Sequence, residues 1–413
     1  MRGATAAPRT DVMNEQYDQP SPAHLQGGAT LGVIGTSLKP AEQRVPIHPD
    51  HFERIPEELR ARIIIEAGYG ERFGIDDAEL ARQFGRVASR SDTIAVADTV
   101  LIPKPQHDDL RAMRAGQTLW GWPHCVQDAE LTQIAIDSRL TIIAFEAMQH
   151  WGADSAEGVH VFHANNELAG YCSVLHALQL AGTTGSYGKR LSATVIGFGA
   201  TARGAVTALT AHGITDVRVL TTREVAAVAS PIHSAELVQF AHDNGAEVGG
   251  VLTDEGEQPL PPFLAESDIV VNCTLQDPNA PRTFLSEEDL PLFRHGSLII
   301  DVSCDEAMGF SWARPTSFAD PIVRLAHGVT YYAVDHSPSY LWNSASWENS
   351  AALLPFVETV MSGPRAWAEN QTIAHAVEIR DGRIENQAIL DFQGREVPYP
   401  HAVTPEGPVH FMP

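Results

Sequence analysis

The segment around Gly197 constrains the fold of this chain more tightly than any other part of the sequence. An apolar stretch, Leu191–Gly197, predicts a buried strand, and Ala202–His212 predicts a helix after it. The intervening Gly-x-Gly-x-x-Ala pattern permits a tight turn, a close backbone approach and close strand–helix packing. A helix N-terminus in this position binds the pyrophosphate of a dinucleotide, although the pattern alone could also be a packing motif. The predicted cofactor-binding residues are Gly197, Gly199, Ala200, Thr201 and Ala202.

The end of the next predicted strand, Val217–Leu220, indicates which dinucleotide binds. NAD-binding folds usually have an acidic residue there, which bonds the 2′-hydroxyl of the ribose. This chain has Thr221-Thr222-Arg223, and hydroxyl groups with a guanidinium suit a 2′-phosphate that a carboxylate would repel. We therefore predict that Thr222 and Arg223 bind NADP or NADPH. NAD remains the alternative because Glu224 follows immediately.

Apolar strands alternate with helical stretches over the first 165 residues, which is typical of a mostly parallel α/β sheet. A long helix is predicted at Asn166–Leu180 and leads into the second unit. There the pattern predicts a helix at Ser234–Asn244, and two further helices at Leu353–Met361 and Pro364–Ala376 precede a polar end. The predicted strands are Leu31–Gly35, Ile63–Glu66, Thr99–Ile102, Thr118–Trp122, Leu140–Phe145, Asp268–Cys273 and Gly296–Val302.

We therefore expect an α/β fold of two domains, in which a Rossmann dinucleotide-binding domain is inserted into an N-terminal α/β catalytic domain completed by C-terminal helices. The expected parts are a flexible tail (1–30), the first part of the catalytic domain (31–165), the Rossmann NADP-binding domain (166–335) and a C-terminal segment that returns to the catalytic domain (336–413). The substrate would bind in the cleft between the two domains.

The charge of the chain limits its partners. The net charge is −24, from 28 basic and 52 acidic residues, and such a surface repels nucleic acids and anionic membranes. No apolar run is long enough for a membrane span, and the N-terminal segment lacks the apolar core of a signal peptide. Four cysteines without a Cys-x-x-Cys pair favour a reducing cytoplasm. The pair His160-x-x-His163 lacks a convincing third ligand, so no metal is expected.

Four short segments carry polar residues at the edges of apolar stretches: Glu42-Gln43-Arg44-Val45-Pro46, Ile102-Pro103-Lys104-Pro105, Gly121-Trp122-Pro123-His124 and Asp301-Val302-Ser303-Cys304-Asp305. In this order, with the dinucleotide pattern between the third and the fourth, they resemble the alanine dehydrogenase and transhydrogenase superfamily over about residues 31 to 350. Within it, the GWPH segment, the AGYCSVLHAL helix and the HSPSYLWNSAS segment look most like the N5-(carboxyethyl)ornithine synthases.

This resemblance implies a soluble NADPH-dependent enzyme that joins an amino-acid amine, such as that of ornithine or lysine, to a 2-oxo acid such as pyruvate. By analogy, Arg44 clamps the carboxylate of the oxo acid and Lys104 binds its carbonyl or carboxylate oxygen. His124 is the implied general acid and base. Asp305 would orient the amine and the nicotinamide, with Asp301 on the cofactor side and Glu146 assisting the substrate. A homo-oligomer is expected from the same analogy.

Alternatives remain open at this point. An ammonia-using alanine dehydrogenase and a saccharopine dehydrogenase share the fold, and a catalytically silent NADP-binding regulator is the non-enzymatic alternative. Against a plain alanine dehydrogenase, the expected Gln-Gly-Gly after the catalytic aspartate is replaced here by Glu306-Ala307-Met308-Gly309. Arg44 could be only a salt-bridge residue, His124 a core histidine and Asp305 a helix cap.

Overall fold

The N-terminal part of the chain builds a sheet of short strands joined mainly by helices. The computed structural model describes residues 29–151, 157–222, 232, 234–241, 250–276, 281–306 and 308–404. The first strands are β1 (Leu31–Val33), β2 (Ile63–Glu66), β3 (Arg86–Ala88), β4 (Thr99–Leu101), β5 (Thr118–Gly121) and β6 (Thr141–Ala144). The helices among them are α1 (Glu57–Arg60), α2 (Asp77–Gln83), α3 (Arg90–Val96), α4 (His107–Ala112) and α5 (Ala129–Asp137).

A hairpin and a long helix connect this sheet to the second one. The hairpin strands are β7 (Gln149–Trp151) and β8 (Glu157–His160), and the helix is α6 (His163–Ala181). The predicted helix at this place is confirmed, and it ends where Gly182 adopts a left-handed conformation with φ of 65°. The connecting helix thus ends with a conformation that glycine adopts at little cost.

The second unit contains β9 (Ser192–Ile196), α7 (Ala200–Ala211), β10 (Asp216–Thr221), β11 (Glu236–Phe240), β12 (Gly250–Thr253), β13 (Gly256–Pro259), α8 (Leu260–Ala265), β14 (Ile269–Asn272), β15 (Thr283–Leu285), β16 (Leu298–Asp301), β17 (Gly309–Phe310), β18 (Ile322–Arg324) and β19 (Thr330–Tyr332). Its sheet has the order β13-β12-β11-β10-β9-β14-β16-β19-β18. The six parallel strands β11-β10-β9-β14-β16-β19 have the 3-2-1-4-5-6 order of a dinucleotide-binding sheet. The strand order reverses between β9 and β14, which is the switch point where ligands bind.

The helix predicted at Ser234–Asn244 is wrong where the structure describes it, because β11 occupies Glu236–Phe240. This strand pairs in parallel with β10, from Arg218 opposite Glu236 to Thr221 opposite Gln239. Its Leu-Val-Gln-Phe sequence also has the branched and aromatic residues that suit a strand. Pairing with a neighbouring strand therefore outweighs the local preference for a helix.

The C-terminal segment returns to the first sheet. It contains α9 (Trp342–Leu353), α10 (Val357–Ser362), α11 (Pro364–Glu369), α12 (Gln371–Ala376), β20 (Val377–Arg380), β21 (Arg383–Ile384) and α13 (Gln387–Gln393). The first sheet has the order β21-β20-β6-β5-β4-β1-β2-β3, in which β20 runs antiparallel to β6. The predicted fold class is confirmed, but the end of the chain supplies two strands as well as the expected helices.

Both sheets are buried on both faces. Along β2, Ile63 and Ile65 pack into one apolar cluster of the first unit, while Ile64 packs into the other. The second sheet divides its strands in the same way between two further clusters. Strands that are covered on both faces have continuous apolar sequences, which explains why they were recognisable. Among the described residues, no helix has the length and apolar character required to cross a lipid bilayer.

Candidate active site

The candidate residues come together because parallel strands end at the same edge of a sheet. In the first sheet, β1, β4, β5 and β6 run parallel, and the chain after them carries Arg44, Lys104, His124 and Glu146 respectively. In the second sheet, β9, β14, β16 and β19 run parallel in the same way. Ligands bind at this edge of open α/β sheets. The two edges meet where Lys39 Nζ lies 2.5 Å from the Oδ2 atom of Asp335, which follows β19.

Lys104 and His124 form the centre of the site, with 2.6 Å between Lys104 Nζ and His124 Nε2. The strand ends that carry them approach closely at Gly121, where a Cβ atom would lie 2.0 Å from the carbonyl oxygen of Ile102. The amide of Trp122 also donates to the carbonyl of Pro103 at 2.9 Å. Glycine is thus required at position 121, and it allows two residues from different strands to share a hydrogen bond.

The electrostatics of this pair favour a single positive charge. Burial, together with the charges of Lys39 and Arg44, lowers the pKa of Lys104 to about 8. The charge of Lys104, followed by burial, holds the pKa of His124 well below its usual range. Near neutral pH the ammonium of Lys104 therefore lies beside a neutral imidazole. A neutral imidazole can accept a proton from a substrate, as a general base must.

The backbone of His124 is strained and is held by Glu146. His124 has a left-handed conformation with φ of 51°, which costs free energy for a residue that is not glycine. Its amide donates to Glu146 Oε1 at 2.7 Å, and its carbonyl accepts bonds from the amides of Gln127 and Asp128. Strained backbone is concentrated at functional sites, and here the imidazole is accessible, with 47% of the side chain exposed.

Arg44 is buried and is already bound on two sides. Its guanidinium donates to Glu42 at 2.8 Å and 2.5 Å and to Asn165 at 3.1 Å. Although burial opposes it, the charge of Arg44 lowers the pKa of Glu42 to about 2, aided by hydrogen bonds from Arg44 and Ser339. A guanidinium has five N–H donors, so these bonds leave capacity for an anion. The salt bridge that was the alternative role of Arg44 is thus present, and its role in clamping a carboxylate stays a prediction.

An aromatic ring lies beside two of the cations of the site, Arg44 and Lys104. The Cζ atom of Arg44 is 5.3 Å from the ring centroid of Trp122, and Lys104 Nζ is 6.0 Å from the same centroid. Trp122 itself packs edge-on against Phe145 in the core. The ring therefore gives the two cations a fixed apolar boundary.

Sequence reasoning did not identify Lys39 and Asp335 as site residues. Asp335 bonds Lys39 and, on its other side, the Nδ1 atom of His336, whose Nε2 atom lies 3.0 Å from the carbonyl oxygen of Pro40. Although burial opposes it, the bond to His336 and the charge of Lys39 hold the pKa of Asp335 far below its usual range. One signal was present in the sequence: an acidic residue directly after an apolar strand, at the edge where ligands bind.

The predicted dinucleotide loop has the expected strand–turn–helix geometry. Gly197 has a φ of 111°, and a Cβ atom there would lie 3.1 Å from the carbonyl oxygen of Cys273. Gly199 precedes α7, and a Cβ atom at this position would have no neighbour within 4 Å. Ala202 is fully buried against the sheet. The first amides of a helix lack partners within the helix, so this loop suits the pyrophosphate of a nicotinamide dinucleotide.

The remaining predicted residues have different surroundings in the structure. Thr222 is exposed just after β10, and Arg223 lies outside the described residues. The carboxylate of Asp301 is fully buried and accepts bonds from Asn272, Tyr331 and the amide of Cys304, so it stabilises the loop after β16. Asp305 lies in that loop, where burial raises its pKa. Cys304 lies in the same loop, and the charge of Lys104 is among those that act on its buried thiol.

Comparison with known proteins agrees with this architecture. Residues 34–169 match the family described as alanine dehydrogenase/PNT, N-terminal domain, and residues 178–387 match alanine dehydrogenase/PNT, C-terminal domain. An alanine dehydrogenase of Halomonas elongata is 25% identical over 386 residues, which cover 88% of this chain and 97% of that protein. An N(5)-(carboxyethyl)ornithine synthase of Clostridium botulinum is 26% identical over 320 residues, which cover 74% and 87%.

Solved structures show the same fold. An L-alanine dehydrogenase superposes with a TM-score of 0.69 at 21% identity, covering 87% of this chain and 98% of that chain. A transhydrogenase from Sinorhizobium meliloti superposes with a TM-score of 0.65 at 18% identity, covering 87% and 99%. The resemblance predicted from the four short segments is thereby confirmed. The chain belongs to the alanine dehydrogenase/PNT family of NAD(P)-dependent oxidoreductases that act on the CH–NH groups of amino acids.

Proposed function

We propose that this enzyme uses NADPH to condense an amino-acid amine with a 2-oxo acid and to reduce the product to a secondary amine. The hydrogen-bonded pair of Lys104 and His124, 2.6 Å apart at the edge where the two domains meet, carries the proposal. Lys104 and Arg44 contribute positive charge to this region, and the carboxylate of Asp335 contributes negative charge that acts on both Lys104 and His124. A cleft with both signs of charge suits two substrates, an anionic oxo acid and a cationic amine.

Each side chain then has a role in the proton transfers. Arg44 and Lys104 hold the oxo acid through its carboxylate and carbonyl oxygens. The neutral imidazole of His124 moves two protons, one after the other, from the substrate nitrogen to the carbonyl oxygen. The first transfer accompanies C–N bond formation and gives the carbinolamine, and the second accompanies C–O bond cleavage, so that the oxygen leaves as water and a protonated imine remains. A nicotinamide dinucleotide held at the loop from Gly197 to Ala202 would supply the hydride for reduction of the imine carbon. Asp335 and Asp305 would attract the amine, since the charge of Asp335 acts on Lys104, and the charges of Asp305 and Lys104 both act on the thiol of Cys304.

The preference for NADPH over NADH rests on Thr222 and Arg223, which follow β10 in the sequence. An Arg223→Asp substitution would replace a cation that suits the 2′-phosphate by a carboxylate that repels it. We expect the ratio of kcat/KM with NADPH to that with NADH to reverse. An unchanged ratio would assign the cofactor preference to other residues.

A second candidate is an ammonia-using amino-acid dehydrogenase, favoured by the identity to the Halomonas elongata enzyme along almost its whole length. Saccharopine dehydrogenase chemistry is a third alternative, since it also produces a secondary amine. A silent regulator would not need the paired Lys104 and His124, both of which are present at hydrogen-bonding distance. These alternatives differ in the amine that supports turnover.

The direct test follows NADPH oxidation with pyruvate or 2-oxoglutarate against ornithine, lysine, other amines and ammonia, with the product identified by mass spectrometry. A product with the mass of amine plus oxo acid, less one water and plus two hydrogens, supports the proposal and names both substrates. Turnover with ammonia alone would assign the chain to the amino-acid dehydrogenases. Turnover with no pair of substrates would overturn the proposed reaction.

A further inference from the structure

Asn165 is a buried amide on the connecting helix, and the mechanism above does not use it. It lies in the first turn of α6, where the chain leaves the first sheet for the second, and it is only 8% exposed. Its Oδ1 atom accepts a hydrogen bond from Arg44 Nη1 at 3.1 Å. Asn165 therefore belongs to the same polar cluster as the residue proposed to clamp the oxo acid.

The chemistry of the two partners fixes the orientation of this amide. A guanidinium has only N–H donors, so the atom of Asn165 that faces it must be the oxygen. The bond to Oδ1 thereby also fixes the Nδ2 group on the other arm of the amide. No described residue accepts a bond from Nδ2, and it is not among the unpartnered polar atoms that are closed off from solvent. Asn165 thus has two N–H donors available to a ligand.

These donors lie next to unused donors of Arg44. Of the five N–H groups of the guanidinium, two bond Glu42, at 2.8 Å and 2.5 Å, and one bonds Asn165, so two remain. Because Oδ1 and Nδ2 of Asn165 share one carbon atom, the Nδ2 group lies within the width of an amide from the guanidinium. Two adjacent planar groups therefore offer N–H donors together, which suits the two oxygens of a carboxylate.

A row of contacts joins Asn165 to the centre of the site. Arg44, its bonded partner, has its Cζ atom 5.3 Å from the ring centroid of Trp122, and Lys104 Nζ lies 6.0 Å from the same centroid. Lys104 is in turn bonded to His124. An oxo acid bound along this ring between Lys104 and Arg44 would have its carboxylate within reach of Asn165.

The balance of charge favours a neutral donor at this position. Although burial opposes it, the charge of Arg44 lowers the pKa of Glu42 to about 2, so Glu42 is ionised and offsets the charge of Arg44. A carboxylate bound at Arg44 therefore gains less from charge than a lone guanidinium would give it. An uncharged N–H donor adds a hydrogen bond to that carboxylate without a further buried charge.

We propose that Asn165 is a further substrate-binding residue, whose Nδ2 group donates a hydrogen bond to the carboxylate of the 2-oxo acid held by Arg44. Its Oδ1 atom fixes the amide against Arg44, and its Nδ2 group contacts the substrate. The inference rests on the proposed function, because it requires a 2-oxo acid at this place. Binding of the oxo acid is measurable without an amine and without turnover.

The test is a calorimetric titration of the intact protein with pyruvate in the presence of NADP. Asn165→Ala removes the donor, so the dissociation constant should rise by about tenfold or more, as is typical when a hydrogen bond to a charged group is lost. Ser339→Ala removes the bond of 2.7 Å to Glu42, a support of Arg44 on its other side, and should change the constant much less. Glu167→Gln, on an exposed side chain of the same helix, should keep the wild-type affinity.

An equal rise in Asn165→Ala and Ser339→Ala would show that Asn165 only supports Arg44, and would overturn the inference. If a circular dichroism melt shows that the alanine variant fails to fold, Asn165→Asp keeps the shape and the acceptor for Arg44 but has no N–H donor. Its affinity for pyruvate should fall at least as far, and an unchanged affinity would equally contradict the inference.

The labelled side-chain amide of Asn165 gives a direct readout by NMR. Pyruvate should move one of its two Nδ2 proton signals downfield, as a bond to a carboxylate does, whereas signals that stay in place at saturating pyruvate would contradict the inference. A wild-type protein that binds neither pyruvate nor 2-oxoglutarate would instead contradict the proposed function itself. The two failures are therefore distinguishable.

Discussion

Lys104 Nζ lies 2.6 Å from His124 Nε2, so one lysine and one histidine share a hydrogen bond at the carboxyl ends of two adjacent strands. The arrangement makes the ammonium the donor and the imidazole the acceptor. It also makes each group dependent on the other, because the charge of Lys104 is the largest influence that lowers the pKa of His124. Substitution of either residue should therefore affect catalysis more than dinucleotide binding.

The first prediction concerns this pair. We expect Lys104→Ala and His124→Gln each to lower kcat/KM by a factor on the order of 100 or more, since general acid–base catalysis typically contributes that much. NADPH affinity, measured by fluorescence titration, should stay near the wild-type value, because the dinucleotide loop begins at Gly197 on the other sheet. His107→Gln, on a half-exposed histidine paired with Asp128, is the matched control and should keep full activity. Retained turnover in both site variants would remove the pair from the mechanism.

The second prediction concerns pH. Because the pKa of Lys104 is lowered to about 8, the side chain is charged below that pH and becomes neutral above it. The KM for the oxo acid should accordingly rise as the pH increases through about 8. The charge of Lys39 helps to lower the pKa of Lys104, so Lys39→Met should shift the rise in KM to higher pH. If KM rises at the same pH in the variant as in the wild type, a group other than Lys104 causes the rise.

The third prediction distinguishes the role of Asp335 from that of Lys39, its partner in an ion pair. Asp335→Asn removes a carboxylate that is held ionised in the cleft, so the KM for the amine should rise by about tenfold or more while that for the oxo acid changes less. Lys39→Met breaks the same ion pair but keeps the carboxylate, and should not raise the KM for the amine. An equal rise in both variants would indicate that the ion pair, rather than the anion, matters.

The fourth prediction concerns the contact between α6 and α7. A Cβ atom at Gly204 would lie 1.8 Å from the carbonyl oxygen of Glu167, and one at Gly170 would lie 1.9 Å from that of Thr201. Gly204→Ala must therefore push the helices apart, at a cost of about 1–3 kcal/mol in the free energy of unfolding. Because α7 begins at the dinucleotide loop, NADPH affinity should fall as well.

Thr207→Ala, on the exposed face of α7, is the control for this substitution. Its hydroxyl bonds the carbonyl of Arg203 within the helix, so both stability and affinity should remain near wild type. Chemical denaturation and fluorescence titration measure the two quantities. A Gly204→Ala protein as stable as the wild type would show that the helices can separate without cost.

Much of the fold could be predicted from local patterns. The Gly-x-Gly-x-x-Ala turn was recognisable because strand, turn and helix are adjacent in the chain, and φ of 111° at Gly197 agrees with its predicted role. The predicted strands, which are β1, β2, β4, β5, β6, β9, β10, β14 and β16, were recognisable because burial on both faces requires continuous apolar residues, whereas the other strands of the two sheets were not predicted. Strand β11 was missed, since its pairing with β10 is set by neighbours in space rather than by its own residues.

Some residues of the candidate site could likewise be predicted from the sequence, whereas others could not. Arg44, Lys104, His124 and Glu146 were predicted from the family resemblance of the short segments that carry them, and parallel strands bring the chain that follows each strand to one edge. Asp335 and Glu378 act on these residues from 200 or more positions away along the chain, from segments that return to the site after the Rossmann sheet. A sequence pattern cannot show that Glu378 lies in a bulge, because the bulge exists only in the register of β20 against β6. The sequence by itself thus determined the family and the apolar strands at the centre of the two sheets, whereas tertiary structure alone decided which charged side chains lie together, because burial and the proximity of charges depend on contacts made only by folding.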